Sequence, residues 1–82
     1  MMSIKMFSKD YCPFCTQAKD VLKSCGVTFH VVELDMIPDG DEMQNKLHQL
    51  SGQRTVPNIF VGGKHLGGCD DTKAARANGK LK

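Results

Sequence analysis

Apolar and polar positions fall in blocks along the chain, and the period of the pattern changes from block to block. Ser3 to Phe7 (SIKMF) is short and apolar-rich and reads as a buried strand. Ser8 to Tyr11 is polar and turn-like, and Pro13 suits the first turn of a helix, where its missing N–H costs nothing. Ala18, Val21, Leu22 and Cys25 then recur at i, i+3, i+4 and i+7, one face of a helix that Gly26 ends. Val27 to Leu34 (VTFHVVEL) is β-branched and aromatic and predicts a second strand. Asp35 to Asp41, with a Pro and a Gly, is a loop. Met43, Leu47 and Leu50 mark a second helix that closes near Gly52, with Asp39 or Asp41 to cap its start. Asn58 to Val61 is a third strand, Gly62-Gly63 a two-residue hairpin signal, and Lys64 to Leu66 a fourth strand. Beyond Gly67-Gly68, Asp70 or Asp71 caps a last helix through Ala74, Ala75 and Ala77, with Gly79 past its end.

The order β-α-β-α-β-β-α places the chain in the α/β class. Its first βαβ unit implies a parallel pair with a right-handed crossover, and the closing ββ an antiparallel hairpin. The expected architecture is a four-stranded mixed sheet with three helices, one domain over residues 1–82. No internal repeat, linker or low-complexity tract interrupts it.

Composition narrows the function by exclusion. Hydrophobic content of 40% and charged content of 24% are ordinary for a globular chain and argue against disorder. A net charge of +2, with no run of Lys or Arg, does not suit nucleic acid, and with one Tyr, no Trp and four Phe a base-stacking platform is not expected. No stretch approaches the roughly 18 apolar residues of a membrane span. Met1 to Met6 shows no long apolar region and no small-residue cleavage site, so the expectation is a cytoplasmic protein with no membrane anchor.

The four cysteines, Cys12, Cys15, Cys25 and Cys69, change the picture. In a reducing compartment they point to redox chemistry or a metal, not to structural disulfides. Cys12-Pro13-Phe14-Cys15 lies between the first strand and the first helix, and C-x-x-C beside a βαβ pattern is a redox signature. Cys12 falls at the helix N-cap, where free N–H groups and the helix dipole favour an anion, and Lys9 adds positive charge while Asp10 partly offsets it. A thiol so placed can have its pKa lowered to about 3.5–7.5. Cys12 is therefore expected to attack as a thiolate. Cys15, a turn inside the helix, is expected to stay a thiol and to resolve. Spacing alone also admits zinc, through Cys12, Cys15, His65 and Cys69, although structural zinc pairs normally sit on loop knuckles and not on a Pro-started helix.

Three segments together carry a resemblance. Lys9-Asp10-Tyr11-Cys12-Pro13-Phe14-Cys15, Arg54-Thr55-Val56-Pro57 and Gly67-Gly68-Cys69-Asp70-Asp71 resemble, in order and spacing, the signature segments of dithiol glutaredoxins, and the similarity covers essentially the whole chain. The Trp-Cys-Gly-Pro-Cys site that thioredoxins prefer is absent. The resemblance implies a thioredoxin-like fold, glutathione as co-substrate with no metal, and reduction of protein disulfides and protein–glutathione mixed disulfides by a monomer. It also implies a glutathione site. Lys9 and Gln44, with Arg54 as a further candidate, would meet the glycine-end carboxylate. Thr55, Val56 and a cis Pro57 would offer a backbone edge to the cysteinyl part. Gly68, Cys69 and Asp70 would take the γ-glutamyl end, and Tyr11 and Phe14 would wall the site. Phe14 replaces the Tyr most often found there, which removes one hydroxyl. Related proteins can also bridge a [2Fe–2S] cluster between two chains, a use that Pro13 should disfavour. The last helix is expected to fray toward Leu81 and Lys82.

Other residues have plainer readings. Cys25 reads as a small buried hydrophobe, and Cys69 as either exposed and oxidisable or buried. His30, His48 and His65 read as surface or satisfied residues, Met6, Met36 and Met43 as core filler, and Asp39, Asp41 and Glu42 as a solvated helix start.

Overall fold

The computed structural model describes residues 3–79. Strand β1 (Ile4–Ser8) leads into helix α1 (Pro13–Ser24), then β2 (Phe29–Glu33), a 3-10 turn (Leu34–Met36), α2 (Gly40–Ser51), β3 (Asn58–Val61), β4 (Lys64–Gly67) and α3 (Cys69–Ala77). Leu81 and Lys82, where fraying was expected, lie outside the described residues. Among the described residues no helix is long and apolar enough to cross a membrane.

The sheet order is β2-β1-β3-β4. β1 pairs parallel with β2 and antiparallel with β3, and β3 pairs antiparallel with β4. This is the mixed four-stranded sheet, with the element order, that the sequence pattern implies. Gly62 and Gly63 both take positive φ (58° and 82°), which the tight β3–β4 hairpin requires and a side chain would oppose.

β1 buries side chains on both of its faces, with Lys5 alone exposed. Alternation along the strand sends Ile4 and Met6 to one face and Phe7 to the other. Ile4, Met6 and Ile59 pack against Cys15, Ala18 and Leu22 of α1 and Cys69 and Ala75 of α3. Phe7 packs with Leu34 and Leu47 beneath α2, and its ring meets Phe60 edge-on at 6.0 Å. Fully burying an Ile, Leu or Met side chain is worth about 1.5–3 kcal/mol. Ile4, Met6, Leu22 and Ile59 are buried to 1% exposure or less, so the α1/α3 face is the main core.

Several boundaries differ from the sequence pattern. β2 is shorter than Val27–Leu34, because Leu34 turns into the 3-10 segment and buries itself under α2. Leu50, in the last turn of α2, is 78% exposed and lines an open groove with Leu47, Phe7 and Phe60 instead of joining the core. Asp39 occupies the N-cap position of α2 but its side chain makes no capping bond. In α3 the N-cap is Gly68, not an aspartate. Asp71 instead reaches back from the first turn and accepts the Gly68 N–H at 3.2 Å. Cys25 is the C-cap of α1 and only half-buried, packed on the edge of the core.

Candidate functional site

β1 delivers the chain through a turn to the start of α1. The Cys12 N–H donates to the Lys9 carbonyl at 3.1 Å, and the Cys12 carbonyl accepts from the Thr16 N–H at 3.2 Å. Cys12 itself is extended (φ −87°, ψ 115°) and stands at the N-cap, with Pro13 just inside the helix. Its sulfur accepts the Cys15 N–H at 3.3 Å. A sulfur here thus receives a backbone donor and the positive end of the helix dipole together. Cys15 has no exposed surface and belongs to the α1/α3 core. Burial first, and a hydrogen bond with Cys12 second, push the Cys15 thiol up from 9.0 to about 11, against smaller lowering by the Lys9 backbone and the Ser8 hydroxyl.

Beneath Cys15 lies a polar network. The buried Ser8 hydroxyl lies 3.1 and 3.2 Å from the two Glu33 carboxylate oxygens, and the Lys19 ammonium pairs with Glu33 at 2.8 Å. That hydrogen bond holds the Lys19 ammonium above its usual pKa.

Opposite Cys12 runs the irregular segment between α2 and β3. The Val56–Pro57 bond is cis. The Cys12 sulfur is 3.8 Å from the Val56 carbonyl oxygen. Val56 has no backbone-to-backbone hydrogen bond among the described residues. A groove of about 350 Å³ opens beside this edge. Its walls include Phe14 on one side, Thr55, Val56 and Pro57 on another, and Gly68, Cys69 and Asp70 at the start of α3. Cys69 is only 6% exposed, and its sulfur lies 3.8 Å from the Gln17 side-chain oxygen. Of the two readings of Cys69, the buried one holds. The start of α3 lines this end of the groove, and the free N–H groups of a helix start suit a carboxylate.

Other candidates stand apart from the groove. Lys9 and Arg54 are not among its lining residues. Tyr11 is 74% exposed next to Cys12 and also stands outside. Gln44, on α2, donates its side-chain N–H to the Arg54 carbonyl at 2.7 Å and so holds the loop from behind. The zinc set does not assemble. The His65 ring packs against Phe60 at 5.2 Å with the rings tilted by 55°, on the α2 face of the sheet, whereas Cys15 and Cys69 pack on the α1/α3 face. Among the described residues no three His, Cys, Asp or Glu side chains converge.

A thiol pair at a helix start, with the Cys12 sulfur against a cis-Pro edge and a groove beside that edge bounded by a second helix start, can be set against known families. The glutaredoxin family model matches residues 4–66. The chain belongs to the glutaredoxin family. A glutaredoxin of Solanum lycopersicum is 55% identical over 78 residues, covering 95% of this chain and 72% of that one. Glutaredoxin-C2 of Arabidopsis thaliana is 49% identical over 79 residues, covering 96% of this chain and 71% of that one. The crystal structure of a buckwheat glutaredoxin–glutathione complex superposes with a TM-score of 0.91 at 46% identity, covering 95% of this chain and 71% of that one. The fold of this glutaredoxin-family chain is therefore the thioredoxin-like one.

One groove residue, Gln53, escaped the sequence reading, and Asp71 reads in sequence only as a helix cap and the end of a signature segment. Asp71 lines the groove as well as capping α3, and Gln53 lines it from the start of the α2–β3 loop. The only sequence signal for Gln53 is adjacency, since it stands one residue before the Arg54-Thr55-Val56-Pro57 segment.

Proposed function

We propose that this protein is a glutathione-dependent thiol–disulfide oxidoreductase that reduces protein–glutathione mixed disulfides and protein disulfides. The observation that carries the reading is the placement of the Cys12 sulfur at a helix N-terminus, 3.8 Å from the Val56 carbonyl, beside the groove that ends at α3. An extended peptide laid along Val56 pairs with its free backbone groups. Such a peptide, if anionic at its far end, meets the first N–H groups of α3 near Cys69 and Asp70. Glutathione has that shape and charge, and the buckwheat complex supports its assignment here.

In this reading the Cys12 thiolate attacks the glutathionyl sulfur of a mixed disulfide. The old S–S bond breaks, the substrate sulfur leaves as a thiolate that takes a proton from water, and a Cys12–glutathione disulfide forms. A second glutathione thiolate then attacks the glutathionyl sulfur, giving oxidised glutathione and regenerating the Cys12 thiolate. For a protein disulfide Cys12 forms a mixed disulfide with one substrate sulfur. Cys15 then loses its proton and displaces that sulfur, leaving a Cys12–Cys15 bond that glutathione reduces. Thiol exchange needs no metal.

A mixed-disulfide reduction assay on wild type, Cys12→Ser and Cys15→Ser tests the assignment. Cys12→Ser should abolish turnover of a glutathionylated peptide, while Cys15→Ser retains much of it. Equal loss in both variants would sink the division of roles.

A further inference from the structure

We infer that Gln53 is a positioning residue of the glutathione site, whose carboxamide pegs the loop so that the Val56 edge is presented to the groove. The inference rests on the proposed function and adds a residue that acts through another.

The four carbonyls of residues 54–57 are not equivalent. The Arg54 carbonyl accepts from the Gln44 side chain at 2.7 Å. The Thr55 and Pro57 carbonyls accept from the same Gln53 side-chain nitrogen, at 2.9 and 2.8 Å. Both protons of one amide are thus spent on the two carbonyls that flank Val56. The one carbonyl of the four with no glutamine on it is that of Val56, and it is the one that faces the Cys12 sulfur.

The peg is itself anchored. The Gln53 N–H donates to the Ser51 hydroxyl oxygen at 3.1 Å, and that hydroxyl donates to the Leu47 carbonyl at 2.7 Å inside α2. The buried Asn58 at the start of β3 donates to the same Ser51 oxygen at 3.2 Å. Gln53 therefore ties the loop to the end of α2 and the start of β3. It also reaches toward the opposite wall. A Cβ placed on Gly68 would lie 3.8 Å from the Gln53 side-chain nitrogen and 3.4 Å from the Pro57 carbonyl oxygen. With its N–H groups engaged, Gln53 has only an acceptor oxygen left, which is ill-suited to bind an anionic ligand directly. Its influence on glutathione runs through Val56.

The test is steady-state kinetics with a glutathionylated peptide on wild type, Gln53→Met and Gln53→Glu, with iodoacetamide alkylation of Cys12 and thermal melts alongside. Gln53→Met keeps the volume and removes both donors. It should raise KM about tenfold, the scale of one to two net hydrogen bonds, with kcat and the Cys12 alkylation rate within about twofold of wild type. Gln53→Glu, which turns oxygens toward the same carbonyls, should raise KM further. If Gln53→Met does not fold, Gln53→Asn, one methylene too short to span both carbonyls, serves the same comparison. An unchanged KM in a folded variant overturns the inference, as does a lower melting temperature with no change in KM. Wild type that fails to turn over the peptide at all overturns the proposed function instead.

Discussion

Cys15 makes the stability of this protein depend on alkaline pH, with a sign fixed by its burial. Its thiol is held at about 11 in the folded chain against an ordinary 9.0. The folded state therefore favours the protonated thiol. That contribution is fully present below pH 9 and is lost as pH rises toward 11, because the unfolded chain gives up this proton first. Each tenfold difference in proton affinity is worth about 1.4 kcal/mol, so the whole loss is about 2–3 kcal/mol. No discount for solvent applies, since Cys15 has no exposed surface. The assay is urea unfolding under reducing conditions at several pH values from 8 to 11, for wild type and Cys15→Ala. Other groups that ionise in this range contribute to both proteins and cancel in the difference. Wild type should lose its advantage over Cys15→Ala by about 2 kcal/mol across the window. Parallel curves for the two proteins would refute the reasoning, because they would mean that burial does not hold the Cys15 proton. The same property keeps Cys15 unreactive. At pH 7 only about one thiol in 10⁴ with this affinity is ionised, so native alkylation should spare it.

Two further outcomes follow from the polar contacts. Glu33→Ala leaves the buried Ser8 hydroxyl and the Lys19 ammonium without their shared partner, and should cost about 1–3 kcal/mol in denaturant unfolding. Asp71→Ala removes the acceptor of the Gly68 N–H and should cost about 1 kcal/mol, lowering the melting temperature by about 4–8 °C.

The fold was legible because each element carried its own period and its own stop signal. Pro13 and Gly26 bracket α1, Gly52 closes α2, and Gly62-Gly63 turns the hairpin, each a local constraint that tertiary packing had no reason to override. Boundaries set by packing were less visible. Leu34 left its strand because α2 offers a better burial site, and Leu50 looked like core because the periodic pattern marks the helix face but not how deeply each position on it is covered. The site was legible where motif residues meet the groove themselves, as Phe14, Val56 and Cys69 do. It was not legible where a residue works through backbone carbonyls. Gln53 and Gln44 act on groups that every residue carries, and no spacing rule marks such a partnership in sequence.

The central claim is that Cys12 is the cysteine that carries glutathione. Peptide mass mapping of Cys15→Ser after incubation with oxidised glutathione tests it most directly. The account predicts one glutathionyl group, on Cys12, removed by added reduced glutathione. An adduct on Cys25 or Cys69 in its place, or none at all, would contradict it.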